Sequence, residues 1–232
     1  MSAKIIVSYD GTANEDDAVA LGRLFAKAGG EVSLAYVRHS FESDSAREDI
    51  AQHEAQALLD RGVQLLGGTA AATHVVTDRS TPEGLAALAE REGADVVVFC
   101  SDSHTAKGHI AVGNSAERLL EGGRVAVAIA PVDLAESAGA EAIRQIVAIG
   151  DGDGGARETA EALAAAFGAT VAPVVNEDAG LLVIDSRAQT QEGRVGISSS
   201  AGRLVEIATC PVLVLPRGKR LQFGRSLAHS AA

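Results

Sequence analysis

The chain has 232 residues, of which 47% are hydrophobic, 22% are charged and only 3% are aromatic. This composition excludes a disordered chain and favours cores of Val, Ile, Leu and Ala, which are typical of parallel sheets covered by helices. A net charge of −11 makes nucleic acid and anionic lipid unfavourable partners. Cys100 and Cys210 indicate no disulfide framework. With neither a secretion signal nor a run of about 18 apolar residues, we expect a cytoplasmic protein that spans no membrane.

The first half alternates strand and helix patterns. The predicted strands lie at residues 4–9, 31–37 and 73–77, and the predicted helices at residues 14–28, 43–66 and 81–93. A turn signal, Asp10-Gly11-Thr12, separates the first strand from the first helix. The acidic run Glu15-Asp16-Asp17 is interpreted as a solvated helix start. The alternation predicts a doubly wound parallel sheet, an α/β fold.

A longer pattern then occurs twice. Residues 94–131 and 179–216 align without a gap at a constant offset of 85. Each copy contains an apolar run, a polar loop, a short helix that opens on Ser, and a second apolar run that ends at Pro. Identical pairs include Ser101/Ser186, Gly108/Gly193, Ser115/Ser200 and Pro131/Pro216. A loop between a buried strand and a helix N-terminus is where an α/β protein holds an anionic ligand.

The opening of the chain also recurs, but at a different spacing. The pairs Ile5/Ile146, Asp10/Asp151 and Gly11/Gly152 differ by 141, which is 56 more than the other offset. The second copy therefore lacks 56 residues, which correspond to strand 3 and its two flanking helices. Pro173 fits this interpretation, because the second strand, at residues 170–175, then becomes an edge. We predict domains at residues 1–135 and 141–217, a linker near 136–139, and a mobile tail at 218–232.

The opening strand with Asp10-Gly11-Thr12 and the closing Pro-Val-Leu-Val-Leu-Pro at residues 211–216 resemble the universal stress protein family. The resemblance covers nearly the whole chain, as one complete and one abridged copy. It implies the sheet order 3-2-1-4-5, with a topological switch between strands 1 and 4. Family members usually pair through strand 5, so the two copies are expected to form an internal pseudo-dimer. The uncovered edge of the second copy leaves a further homodimer open.

Family members that bind ATP carry Gly-x2-Gly-x9-Gly-Ser/Thr after strand 4. The pattern falls on Cys100, Ser103, Gly113 and Asn114 in the first copy, and on Asp185, Ala188, Ser198 and Ser199 in the second. The loop length is intact in both copies, but Gly113 is the only one of the six glycines that survives. The other side chains would crowd a phosphate, and the carboxylate of Asp185 would repel it.

The resemblance implies a site for an adenine nucleotide in the first copy, with ATP or AMP as the ligand and Mg as its companion if ATP binds. The predicted cofactor-binding residues are Asp10, Gly11, Thr12, Val37, Ser101, Ser103, Gly113, Asn114 and Ser115. No catalytic residue is predicted, because no Ser-His-Asp or Cys-His set recurs between the copies. Asp102, His104 and His109 match no strong zinc spacing, so no metal site is predicted.

Two functions stay open. The first is a non-enzymatic regulatory module of a stress response, in which an adenine nucleotide orders the loop and a protein partner, not identified by the sequence, reads the changed surface. The alternative is an interaction protein whose phosphate loop has decayed and which binds no nucleotide. An adenylyl-transferring or ATP-hydrolysing enzyme would need a Gly-rich phosphate loop and a positioned Lys or metal-binding acid, and the sequence shows neither.

Overall fold

The computed structural model describes residues 1–67, 71–102, 104–137, 143–150 and 154–224. Strands and helices alternate over residues 4–130, as the sequence pattern predicts for the first half. Their order is β1 (Lys4–Ser8), α1 (Glu15–Lys27), β2 (Glu31–Arg38), α2 (Ser45–Leu65), β3 (Ala72–Thr77), α3 (Thr81–Glu92), β4 (Val96–Cys100), α4 (Asn114–Leu120), β5 (Ala126–Ala130), β6 (Gln145–Ile149), α5 (Gly155–Phe167), β7 (Thr170–Ala172), β8 (Leu181–Asp185), α6 (Ser199–Ile207) and β9 (Val212–Leu215).

The strands of the described residues form a single sheet in the order β3-β2-β1-β4-β5-β9-β8-β6-β7. Neighbouring strands run parallel, except that β5 and β9 are antiparallel. The first five strands thus have the order 3-2-1-4-5. The last four repeat it from the other end without a counterpart of strand 3, and this confirms the predicted α/β class.

The pairing of β5 with β9 is organised around a local two-fold axis. Ala128 lies opposite Leu213, and Val127 and Ile129 lie opposite Val214 and Val212. At the sequence offset of 85, Ala128 corresponds to Leu213 itself, and its two neighbours exchange places. Equivalent strands therefore pair with each other, as they do across the two-fold axis of a symmetric dimer. Here both strands belong to one chain.

Helices cover both faces of the sheet. Because alternate residues of a strand point to opposite faces, Ile5 and Val7 pack on the side of α1, α2 and α5. Ile6 packs on the other side, with α3, α4 and α6. A sheet buried on both faces accounts for the continuous Val- and Ala-rich strand sequences. No helix in the described part of the chain is both long and apolar enough to cross a bilayer.

The edge strand of the second half is short. The predicted strand at residues 170–175 ends at Ala172, directly before Pro173, and so has only three residues. Its partner in the sheet is β6, with Gln145 opposite Thr170. Short edge strands and prolines limit the pairing of a sheet with further chains. The loss of strand 3 therefore leaves little free edge.

Residues 217–224 form a C-terminal strap that packs on the fold. The prediction of a mobile tail at 218–232 is therefore wrong for residues 218–224. Leu221 is only 1% exposed, and its backbone N–H donates to the Thr159 hydroxyl at 3.0 Å. The ring of Phe223 stacks on Phe25, with ring centroids 5.8 Å apart. These two apolar side chains hold the strap on α5 of the second half and α1 of the first, since their burial removes apolar surface from water. Residues 225–232 lie outside the described residues, as do 138–139 of the predicted linker.

Candidate functional site

The first crevice opens at the carboxyl edge of the sheet, between the parallel strands β1 and β4. The connections that follow these two strands leave in opposite directions. This topological switch is where open α/β sheets bind ligands. The exposed carboxylate of Asp10 accepts a hydrogen bond from the Thr12 backbone N–H at 2.9 Å. Gly11 has φ of +82°, and a Cβ there would meet Leu58 at 3.0 Å. Glycine is therefore required, and the turn holds Asp10 at the mouth of the crevice.

A cavity of about 180 Å³ lies at the carboxyl ends of β1 and β2. Two of the predicted residues, Asp10 and Val37, both line it, and Val37 is 6% exposed. His39 and Thr81 form the outer wall, where the His39 ring lies 3.3 Å from the Thr81 hydroxyl. Drug-sized pockets hold roughly 300–1,000 Å³, so this volume suits one planar ring system rather than a whole nucleotide.

The loop that carries His39 is anchored by a buried ion pair. Arg38 is 7% exposed and donates to the two carboxylate oxygens of Glu48 at 2.6 and 2.9 Å. Glu48 also accepts the backbone N–H of Glu42 at 2.9 Å. The hydrogen bonds from Arg38 and then from Glu42 lower the pKa of Glu48 to about 2. The pair therefore stays charged at neutral pH and holds this wall of the cavity in place.

Glu15, the first residue of α1, lines the same cavity. Its carboxyl group accepts a hydrogen bond from the backbone N–H of Asp10. Burial raises the pKa of Glu15 to about 9. The side chain also lies near Cys100 at the end of β4, where burial and then the charge of Glu15 raise the pKa of the thiol to about 12. Glu15 thus stands at the switch between β1 and β4.

The interpretation of Glu15-Asp16-Asp17 as a solvated helix start is wrong for its first and third residues. Asp17 is 5% exposed and accepts hydrogen bonds from the backbone N–H groups of Asp133 and Ala135 at 2.9 and 2.8 Å. Helical periodicity does not separate the three acids, because each of them precedes a buried residue of α1 by three or four positions.

The loop after β4 leaves the predicted residues in different places. Ser101 is 1% exposed and its hydroxyl donates to the Ala130 carbonyl at 2.7 Å, so it is engaged inside the fold rather than at the crevice. Gly113 precedes α4 without any side-chain cap. Asn114 is exposed and Ser115 half-buried at that helix N-terminus. None of these described residues lines the 180 Å³ cavity. Ser103 lies outside the described residues.

The corresponding loop of the second half has the same hydrogen bonds. The Ser186 hydroxyl donates to the Leu215 carbonyl at 2.6 Å, as Ser101 does to Ala130. The backbone N–H of Arg187 donates to the Gly196 carbonyl at 2.8 Å, and the equivalent bond joins Asp102 to Ala111 at 3.1 Å. The loop conformation is thus repeated as well as the loop length.

The helix that follows this loop is capped differently in the two halves. Ser198 has nearly the backbone angles of Gly113, but its hydroxyl accepts the backbone N–H of Ala201 at 3.1 Å. The N-terminus of α6 is therefore satisfied by its own serine. At α4 the equivalent residue is Gly113, which has no side chain that could accept a backbone N–H.

The second crevice is wider and carries a different acid. A cavity of about 470 Å³ lies at the carboxyl ends of β6, β7 and β8, lined by Gly150, Arg157 and Asp185 among others. Asp185 is 8% exposed, and a Cβ on Gly150 would meet its carboxylate at 2.4 Å. The carboxylate thus lies against the end of β6. Asp151 and Gly152 lie outside the described residues.

The first half of the chain matches the model of a known protein family. The model of the universal stress protein family matches residues 1–131, which include the first crevice and the loop after β4. The chain belongs to the universal stress protein family. No curated protein matches the sequence.

Similar solved structures extend the likeness to the second half. A universal stress protein from Archaeoglobus fulgidus DSM 4304 is 13% identical, with a TM-score of 0.66 over 94% of this chain and 100% of that chain. A functionally unknown protein from Pseudomonas aeruginosa PAO1 is 17% identical, with a TM-score of 0.63 over 93% of each chain. At these identities the likeness shows the fold, and it covers both halves of the sheet.

For a member of this family, the crevice brings together fewer residues than the resemblance implies. Asp10 and Val37 share the cavity, whereas the loop residues lie apart from it. Sequence reasoning missed Glu15, His39 and Thr81, which complete the cavity wall. The latter two follow the ends of β2 and β3, so the rule that parallel strands end at one edge of the sheet could have indicated them.

Proposed function

We propose that the protein is a non-enzymatic regulatory module that binds the adenosine part of an adenine nucleotide, such as AMP or ATP, in the first crevice. The observation that supports this proposal is the cavity shared by Asp10 and Val37. It has an apolar wall at the end of β2 and polar groups at its mouth, which suits a planar ring with hydrogen-bonding edges. Its position at the switch of a doubly wound sheet favours the same ligand class.

The phosphate side of the crevice is less complete than the base side. The uncapped N-terminus of α4 leaves backbone N–H groups for an anion. Cys100 stands at the position of the first glycine of the ATP-binding pattern, and Glu15 lies beside it. No group of three or more His, Cys, Asp or Glu side chains in the described residues could hold a metal. Any Mg would therefore bind mainly through the phosphate oxygens of ATP itself.

The proposed regulatory step uses the loop after β4. One end of this loop is fixed by the Ser101 hydroxyl, which donates to the Ala130 carbonyl of β5, and the other end leads into α4. A ligand in the cavity would act on Glu15, which lies near Cys100 at the start of this loop, and would thereby change the surface of the loop. A protein partner that recognises this surface would then distinguish the loaded protein from the free one.

A second candidate is an interaction protein that binds no nucleotide. The observation that favours it is the carboxyl group of Glu15, which already accepts the Asp10 backbone N–H inside the cavity. In this case the crevice is filled by the protein itself, and the surfaces of the sheet's helices carry the function.

Two measurements separate these candidates. Isothermal titration with adenosine, AMP and Mg-ATP at up to millimolar concentration should give saturable heat for at least adenosine. Mass spectrometry of small molecules released from the purified, heat-denatured protein should find an adenine compound. Absence of heat with all three compounds would remove the proposed function, and a clean extract in the same experiment would favour the interaction protein.

A further inference from the structure

Glu15 occupies the part of the first crevice through which a phosphate would have to pass. Its side chain lies in the cavity with Asp10 and also lies close to Cys100 at the end of β4. The base cavity is at the ends of β1 and β2, whereas the loop and α4 follow β4. Glu15 therefore borders both the cavity and the end of β4, from which the loop to α4 begins.

The carboxyl group of Glu15 takes up a donor that an anion would use. It accepts the backbone N–H of Asp10, which is the donor available at the end of β1. The titratable groups around Glu15 are Asp10, Asp16, Cys100 at the end of β4, and the cavity-lining Tyr9, Tyr36 and His39. Among the described residues that line the cavity, none is a lysine or an arginine.

We propose that Glu15 makes the first crevice selective for uncharged adenosine over its phosphorylated forms, because its carboxyl group holds the backbone donor and the space that a phosphate needs. This inference rests on the proposed function and names the ligand class of the same site. A phosphate has to displace this carboxyl group, and once the carboxyl group is ionised the two like charges also repel each other. Glu15 is thus a specificity-determining residue.

The protonation state of Glu15 decides how its carboxyl group opposes a phosphate. Burial raises the pKa of Glu15 to about 9, so at neutral pH the group that fills the crevice is a neutral acid. A phosphate then has to displace it from the Asp10 N–H, and above pH 9 it also meets a full negative charge. The thiol of Cys100, with its pKa raised to about 12, stays neutral over this range.

The test compares adenosine with AMP on the full chain, by isothermal titration of the wild type, Glu15→Ser and Glu15→Gln. At pH 7 the wild type should bind adenosine about tenfold more tightly than AMP, because AMP has to displace the neutral carboxyl group from the Asp10 N–H. Glu15→Ser vacates the space and should tighten AMP binding about tenfold, while adenosine changes less than about threefold. Glu15→Gln keeps the size and, like the protonated acid, carries no charge, so its ratio of adenosine to AMP affinity should stay within about threefold of the wild type.

Glu83→Ser is the matched control. Glu83 is an exposed acid in the first turn of α3, and Thr81 of the same turn lines the cavity. The control removes one negative charge near the site without vacating space in it, so the ratio of adenosine to AMP affinity should stay within about twofold of the wild type. Circular dichroism establishes that each variant is folded.

The outcomes distinguish this inference from the proposed function. Equal binding of adenosine and AMP by the wild type, or an unchanged ratio in Glu15→Ser, overturns the role of Glu15 and leaves the adenosine site standing. No binding of either compound to any variant overturns both. Binding of AMP by Glu15→Ser alone supports the inference.

Discussion

The two halves of the sheet share a topology but differ at their carboxyl edges. In the first half, α1 places Glu15 in a cavity of about 180 Å³. In the second half, β8 ends on Asp185 beside a cavity of about 470 Å³. The loops that follow β4 and β8 nevertheless have the same hydrogen bonds, although the glycines of the ATP-binding pattern are almost absent. Anchors in the sheet, together with Gly108 and Gly193 at φ of +74° and +73°, therefore set the loop conformation without the glycines of the ATP-binding pattern.

This comparison separates the residues that preserve the fold of the loop from the residues that would bind a ligand. The hydroxyls of Ser101 and Ser186 fix each loop to the neighbouring strand, and the loop returns to a helix whose N-terminus is open in one half and capped by Ser198 in the other. A loop of this conformation is thus compatible both with an uncapped helix N-terminus and with a capped one. Retention of loop length in the sequence shows retention of the fold alone.

The largest effect is expected where the halves meet. Leu213 is fully buried at the two-fold axis of the β5–β9 pair. Leu213→Asp puts an unpaired charge there, which costs at least about 4 kcal/mol and should abolish the native fold. Urea unfolding followed by circular dichroism measures the loss.

Ile207→Asp is the control for this substitution, because Ile207 is 69% exposed at the end of α6. It should change the free energy of unfolding by less than about 0.5 kcal/mol. A wild-type unfolding midpoint for Leu213→Asp would show that the two halves do not depend on their common seam.

The next effect concerns the C-terminal strap. Leu221→Ala removes a buried side chain that packs between the halves and should lower the free energy of unfolding by about 3 kcal/mol. Gln222→Ala, at an exposed side chain of the same strap, should stay within about 0.5 kcal/mol of the wild type. Equal unfolding curves for the two variants would contradict the buried position of Leu221.

A third effect is the pH dependence that Glu15 gives to stability. Its pKa rises from 4.5 to about 9 on folding, so between these values the folded state holds the extra proton. Stability should therefore fall as pH rises through this window, by at most about 1.4 kcal/mol per pH unit.

Glu15→Gln should remove this slope, because glutamine does not titrate. Unfolding free energies measured by urea denaturation from pH 5 to pH 9 test the sign. A wild-type stability that does not fall with pH relative to the variant would show that the carboxyl group is solvated.

The smallest effects compare the two helix caps. Ser198→Ala removes the hydroxyl that accepts the Ala201 N–H and should cost about 1 kcal/mol. Gly113→Ser adds a cap at the equivalent position, where no atom lies within 4 Å of the new Cβ, and should gain a few tenths of a kcal/mol. Thermal unfolding measures the change in stability of both variants. A change of the same sign in both would contradict the difference in capping.

The order of the strands followed from the sequence because periodicity and turn residues determine it locally. The two offsets of 85 and 141 indicated that strand 3 has no counterpart in the second half, and the sheet order agrees. The antiparallel joint through β5 and β9 followed from the family resemblance rather than from any local pattern.

The site was less predictable because side-chain direction depends on packing. Ser101 was assigned to ligand binding on its position, yet the sheet turns its hydroxyl inward to Ala130. The strap was expected to be mobile because it is basic and rich in small residues, but Leu221 and Phe223 find apolar partners that only the folded chain provides. Both misses concern contacts between segments far apart in the sequence.

The stoichiometry of adenosine binding tests most directly whether the halves differ in function. Titration of the wild-type chain should give one site, Asp10→Ala should lose it, and Asp151→Ala, at the matching sequence position of the second half, should retain it. Zero or two sites per chain, or binding that survives Asp10→Ala, would contradict a ligand site in the first crevice.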